Sequence, residues 1–143
     1  MKLKDIIEKK SGNVVSIGSR NTVYEAAKLL RQHKIGALLV LGDDRKLAGI
    51  ITERDILREC AEKVDELKTK LIKDAMSRDL IIGLLDDTVG YSMGIMTKNK
   101  MRHLPVMEKD RIVGIVSLGD LVKSQLEDIE FENRHLKEYI HGA

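Results

Sequence analysis

Apolar residues recur along this chain at two spacings, and the order of the spacings is played through twice. Leu3, Ile6 and Ile7 share one helical face, so residues 1–10 are expected as a short amphipathic helix. Ser11-Gly12-Asn13 breaks it. Val14, Val15 and Ile17 suit a short strand, and residues 18–21 a turn. Thr22 opens a helix over 22–34, because Thr-Val-Tyr-Glu has the capping-box form with Glu25 at the third position. Val23, Ala26, Ala27 and Leu30 form its apolar stripe. The continuous apolar run 37–41 suits a strand covered on both faces. Gly42-Asp43-Asp44 is a hairpin turn, 46–52 the return strand and 55–62 the helix after it. Residues 64–76 are charged with an apolar face at Val64, Leu67, Leu71 and Ile72, which predicts a helical linker.

The same succession then begins again. Ile72-Lys73-Asp74-Ala75-Met76 resembles Leu3-Lys4-Asp5-Ile6-Ile7, residues 80–85 suit a strand and 88–98 a helix. Gly90 and Gly94 weaken that helix by roughly 1 kcal/mol each relative to alanine. Strands are expected at 104–107 and 112–117 around a turn at 108–111, with a last helix from Asp120 onward. Thr22 aligns with Thr88, Val40 with Val106, Gly49 with Gly114 and Asp55 with Asp120. A one-residue slip falls in the hairpin, where a length change is best tolerated. Each copy is strand–helix–strand–strand–helix. The best-marked segment is Gly-Ile-Ile-Thr-Glu-Arg-Asp at 49–55 and Gly-Ile-Val-Ser-Leu-Gly-Asp at 114–120. Its β-branched residues suit a buried strand. Its hydroxyl, Thr52 or Ser117, stands where a strand hands over to a helix, the place of an N-cap. The free backbone N–H groups there can also hold an anion. The aspartate one turn on can accept two hydrogen bonds from a diol such as ribose. Two copies in matching surroundings mark an internal duplication.

Composition narrows the chemistry. The chain has 143 residues, 43% hydrophobic and only 3% aromatic, so the core is aliphatic and base-stacking platforms are scarce. A net charge of +2 gives a weak electrostatic footprint for nucleic acid. The basic cluster from Lys98 to Arg111 would be the surface for a nucleic-acid binder. Cys60 is the only cysteine, so no internal disulfide can form. No apolar run has membrane-spanning length and no secretory pattern opens the chain, which leads to the expectation of a cytoplasmic protein without membrane attachment. His33, His135 and His141 have no metal-ligand spacing. There are no paired carboxylates at a metal spacing, no Ser-His-Asp set and no phosphate-cradling glycine loop, so a nucleotide-acting enzyme is the alternative rather than the expectation.

Thr-Val-Tyr-Glu-Ala-Ala-Lys-Leu-Leu, Ile-Gly-Ala-Leu-Leu-Val and Gly-Ile-Ile-Thr-Glu-Arg-Asp-Ile-Leu in copy one resemble the CBS (cystathionine β-synthase) domain. So do Met-Arg-His-Leu-Pro-Val and Gly-Ile-Val-Ser-Leu-Gly-Asp-Leu-Val in copy two. The two together resemble a Bateman module of the stand-alone bacterial kind. The resemblance implies an α+β fold of two tandem repeats with pseudo-two-fold symmetry and an extended C-terminal helix. In chain order the division is 1–70 for repeat one with its terminal and linker helices, 71–125 for repeat two and 126–143 for the extension. It also implies clefts between the repeats that bind adenosyl compounds: AMP first, then ATP or ADP, NAD(H) and S-adenosylmethionine, with no catalysis and no required cofactor.

Carried over residue by residue, Asp55 and Asp120 take ribose hydroxyls, and Thr52 and Ser117 sit beside phosphate. Arg102 and His103 precede a strand where the family often faces phosphate, whereas Gly36 and Ala37 at that place in copy one leave room for a base. The better site would combine Ser117, Asp120, Arg102 and His103 with an adenine-side wall of Asn21, Ala26, Gly36 and Ala37; Arg54 and Lys34 are the candidate cations for the Asp55 cleft. Beyond the second motif, Val122, Leu126, Ile129, Asn133, Leu136 and Ile140 follow steps of four and three, a heptad seam with a polar position that can fix a two-stranded register. A homodimer, and an effector protein as partner, are expected from this and from the family's habit of pairing.

Overall fold

The computed structural model describes residues 1–10 and 14–141. The break expected at 11–13 lies outside the described residues. The elements in chain order are α1 (Leu3–Lys9), β1 (Ser16–Gly18), α2 (Val23–His33), β2 (Ala37–Leu41), β3 (Leu47–Thr52), α3 (Glu53–Lys63), β4 (Gly83–Leu84), α4 (Val89–Lys98), β5 (His103–Glu108), β6 (Arg111–Ser117) and α5 (Leu118–His141). They give the α+β fold and the duplicated strand–helix–strand–strand–helix order.

Two three-stranded sheets result, ordered β1-β2-β3 and β4-β5-β6. In each, the first pair is parallel and the second antiparallel. A parallel pair needs a crossover, and α2 and α4 supply it. The duplication reaches the irregularities: the register shifts between Val40 and Leu41 in one sheet and between Val106 and Met107 in the other. Both crossover helices begin on a threonine cap. Thr22 Oγ1 accepts from the Glu25 N–H at 3.2 Å, and Thr88 Oγ1 from the Tyr91 N–H at 3.1 Å.

The compact units cut across the chain order. One gathers Met1–Gly12 with Ile82–Ala143, and the other is Asn13–Ile81. Helix α1, first in the chain, is therefore packed with the second repeat. Leu3 is fully buried, and its Cδ1 lies 2.6 Å from where a Cβ on Gly83 would stand. Ile7 Cδ1 lies 2.6 Å from the Cβ position of Gly114 on β6. The matching segment before repeat two packs with repeat one: Ile72 is fully buried in the core of Ile17, Val23, Ala26, Leu30, Leu38, Val40 and Ile51. Met76 Sδ and the Ser77 carbonyl both stand 2.6 Å from the Cβ position of Gly49 on β3. Both motif glycines thus exist to let a chain segment cross the return strand.

Three local expectations are corrected. The linker is not one helix over 64–76; it holds only the short 3-10 turns Val64–Glu66 and Ile72–Asp74. Its backbone is needed elsewhere. The carbonyls of Lys70 and Leu67 accept the Val23 and Tyr24 N–H groups at 2.9 and 3.0 Å, satisfying the open N-terminus of α2. The side chain of Lys70 also reaches Glu59, 4% exposed, at 2.6 Å. The strand expected at 80–85 shrinks to Gly83–Leu84, because its ladder extends only to Val106 and Met107. Val14 and Val15 likewise fall outside the first strand, which is Ser16–Gly18.

The two glycines differ in what an added methyl would meet. Gly49→Ala meets a backbone carbonyl that cannot turn aside, whereas Gly114→Ala meets the tip of Ile7. Gly49→Ala is expected to lower stability by about 1–3 kcal/mol, the usual cost of overpacking, and Gly114→Ala by less. Urea unfolding midpoints of the two variants check this order.

Candidate functional site

The candidate site begins at the end of β6. The backbone leaves the sheet at Ser117 and enters α5 at Leu118, where the first N–H groups of the helix have no intrahelical acceptor. Ser117 Oγ accepts the Asp120 N–H at 3.0 Å, and Asp120 Oδ2 accepts the Ser117 N–H at 2.8 Å. This reciprocal cap orients the carboxylate. Its neighbours are placed by the sheet. His103 pairs with Ser117 in the β5–β6 register, and the Leu118 N–H donates to the Arg102 carbonyl at 2.8 Å. Arg102 is exposed and His103 half-buried. Four sequence-predicted residues, Arg102, His103, Ser117 and Asp120, therefore meet at one strand end.

A fifth residue joins them that sequence reasoning missed. Lys10, just past α1, donates from Nζ to Asp120 Oδ2 at 2.8 Å and to the Ile115 carbonyl at 2.9 Å. Burial alone would raise the Asp120 carboxyl. The Lys10 hydrogen bond, the Ser117 backbone N–H and the Lys10 charge outweigh it and hold the group below its ordinary value near 3.8. Oδ2 is thus doubly engaged, while no described residue hydrogen-bonds Oδ1. A small cavity of about 160 Å³ opens here, lined by Asp120, Lys10, Lys123, Ser124 and Glu127 among others.

The corresponding junction in the other unit is built alike and closed differently. Thr52 caps α3: its Oγ1 accepts the Asp55 N–H at 3.4 Å, and Asp55 Oδ2 accepts the Thr52 N–H at 2.8 Å. Arg58, one turn on, holds Asp55 Oδ1 at 3.2 Å and the Ala75 carbonyl at 3.0 Å. Both carboxylate oxygens of Asp55 are therefore taken, and its side chain is 13% exposed against 30% for Asp120. Ala37 pairs with Thr52, and the Glu53 N–H donates to the Gly36 carbonyl at 3.0 Å, so Gly36, Ala37, Thr52 and Asp55 form the second cluster. Arg54 is exposed beside it. Ala26 and Ala37 are buried, and Asn21 Nδ2 donates to Glu25 Oε2 at 2.8 Å. That bond and those from Thr22 hold the Glu25 carboxyl below its ordinary value. Asn21, Ala26, Gly36 and Ala37 belong to the unit of Asp55, not to that of Asp120.

A larger cavity of about 500 Å³ lies between α2 and α3 and is lined by Arg31, Lys34, Ile35, Gly36, Glu53 and Ile56 among others. Of the predicted site residues Gly36 and the candidate cation Lys34 line it. No group of three histidines, cysteines or carboxylates among the described residues is placed to hold a metal. The Arg58 contact was within reach of spacing, since three residues separate it from Asp55 on one helix. The Lys10 contact was not, because it depends on which sheet α1 packs against.

Two α+β repeats with one strand order, each closing on a hydroxyl and an aspartate, define a tandem-repeat module. The CBS domain family profile matches residues 3–62 and 72–127, and the chain belongs to that family as a tandem pair. It is 38% identical over 127 residues to the mitochondrial CBS domain-containing protein CBSX3 of Arabidopsis thaliana, covering 86% of this chain and 62% of that protein. The chain thus spans under two thirds of that relative's length. Among solved structures, the CBS-domain containing protein ATU1752 of Agrobacterium tumefaciens is 35% identical with a TM-score of 0.82, over 87% of this chain and 92% of that one. The CBS domain pair of protein MJ0100, solved in complex with 5′-methylthioadenosine and S-adenosyl-L-methionine, is 30% identical with a TM-score of 0.78, over 90% of this chain and 98% of that one.

The depressed Asp120 carboxyl links stability to pH. A carboxyl whose folded value lies below its unfolded one stabilises the fold above the unfolded value, and that contribution is lost as pH falls through the folded value. Asp120→Asn should be less stable than wild type at pH 7, and the gap should shrink as pH falls below the ordinary carboxyl value near 3.8. Urea midpoints measured across this range check the sign.

Proposed function

We propose that this chain is a non-catalytic regulatory or sensor module that binds adenosine-containing ligands, AMP first, then ATP or ADP, NAD(H) or S-adenosylmethionine. The observation that carries the reading is the Asp120 carboxylate. It is fixed by a backbone cap, no described residue hydrogen-bonds its Oδ1, and it lies in the second stretch that the CBS domain profile matches. A carboxylate can accept the two hydroxyls of a vicinal diol one on each oxygen. Ser117, with Arg102 and His103 alongside, supplies donors and positive charge for a phosphate. The complex formed by MJ0100 supports adenosyl ligands as the class. Asp55, with both oxygens committed, is the weaker ribose ligand, and Thr52 and Arg54 would serve that second place. Asn21, Ala26, Gly36 and Ala37 are proposed for the adenine.

Ligand binding produces a response only through different affinity for two arrangements of the module, and an effector protein would read the difference. We place the module in the cytoplasm as a homodimer. Leu126, Ile129, Leu136 and Ile140 on α5 are between 55% and 68% exposed, an apolar stripe that a second helix would cover. Between two parallel copies the seam would bring Glu132 of one helix to Lys137 of the other, with Asn133 facing Asn133.

Calorimetric titration of AMP, ATP, NAD and S-adenosylmethionine into wild type and Asp120→Ala tests the site. The substitution is expected to abolish the tighter binding event; unchanged affinity for every ligand rejects the assignment. A phosphate-release assay with ATP and ADP should stay at background. For the dimer, Leu136→Glu should shift sedimentation from dimer towards monomer, and a dimer of unchanged stability would rule out the α5 seam.

A further inference from the structure

We propose that Lys10 is a specificity-determining residue of the Asp120 site, selecting adenosyl ligands that carry an anionic 5′ substituent over those whose 5′ substituent is neutral or cationic. The proposal rests on Asp120 being the ribose ligand, and it deepens that reading by naming the ligand class.

The argument starts from hydrogen-bond capacity. Oδ2 of Asp120 has two acceptor positions, and the Ser117 N–H and Lys10 Nζ take them, each at 2.8 Å. A diol that bridges both carboxylate oxygens must displace one of these donors. The Ser117 N–H is fixed by the strand and the cap, so Lys10 is the one that yields. Its ammonium also donates to the Ile115 carbonyl at 2.9 Å, which keeps it beside the site. Ligand binding therefore leaves a cation beside the sugar, deprived of its carboxylate. The side chain is 43% exposed, so water can solvate it, but an anion on the ligand would gain a charge-assisted bond from it.

Among the described residues lining the cavity, Glu127 is the other carboxylate. Lys9 sits opposite Glu127 at 3.9 Å, so that carboxylate already faces a cation. Lys123, one turn beyond Asp120, adds positive charge to the same small cavity. A phosphate on the ligand would complete the exchange: the diol takes the carboxylate, and Lys10 takes the phosphate. A thioether leaves Lys10 unpaired, and a sulfonium repels it. The other unit has no counterpart. The residue that aligns with Lys10 is Asp79, and Asp55 is held instead by Arg58 from its own helix. The preference is thus a property of the Asp120 site alone.

The test compares AMP with 5′-methylthioadenosine by calorimetry on wild type, Lys10→Met and Lys10→Arg. Wild type should favour AMP. In Lys10→Met the AMP affinity should fall about tenfold or more, as loss of one charge-assisted bond implies, while that for 5′-methylthioadenosine holds or rises. Lys10→Arg keeps the charge and should keep the preference. It decides the matter if Lys10→Met fails to fold, since loss of preference in Lys10→Arg with Asp120 binding intact would overturn the proposal. Equal losses for both ligands in Lys10→Met would make Lys10 a structural tether only, and unchanged AMP affinity would remove its role; either overturns the inference while leaving ribose binding standing. If wild type binds neither compound, the ribose reading itself fails and this inference with it.

Discussion

The structure depends on how a strand hands its backbone to a helix. Four N–H groups at the start of a helix have no acceptor within it, and at the ends of β3 and β6 a hydroxyl and an aspartate meet that need together. Because the carboxylate accepts the cap residue's own N–H, it is pinned near the sheet edge instead of swinging free. The group that would grip a ligand is thus the same group that closes the fold. At a capping aspartate, stability and binding draw on one pair of oxygens. Among the described residues the two units divide them differently: Asp55 gives both to protein partners, while Asp120 gives only Oδ2.

The second constraint is close approach. Gly49 and Gly114 leave space on the return strands for Met76 with Ser77 and for Ile7, and in each case the visiting segment comes from the stretch of chain preceding the other repeat. This exchange carries α1 to the sheet of the second repeat and so delivers Lys10 to Asp120. The charge environment of the candidate site therefore follows from packing of aliphatic residues some distance away along α1. Leu3 and Ile6 are buried in that packing, and Lys10 follows them.

Much of this was legible in the sequence because the physics involved is local or periodic. The caps at Thr22, Thr52 and Ser117 follow from side-chain chemistry at helix starts, and the buried run 37–41 from its unbroken apolarity. The duplication made each half a check on the other. The linker was misjudged because its apolar spacing fits a helix, yet its carbonyls are drawn off to cap α2, a demand set by tertiary structure. The strand at 80–85 was overdrawn for the reverse reason, since apolar content does not say how far a partner's ladder extends. Arg102, His103, Ser117 and Asp120 were found together because register places them together. Lys10 and the Glu59–Lys70 ion pair were beyond reach, as each joins residues that no pattern links.

The exchanged segments also bear on ancestry. A gene encoding a single repeat would make a product whose leading segment has no sheet of its own to lie on and whose glycine strand stands uncovered. Such a product becomes complete only by trading leaders with a sister molecule. Fusing two such genes end to end would make the trade permanent within one polypeptide. Each leader would then be free to drift towards its adopted host, which is how one half could come to carry a lysine where its twin carries an aspartate.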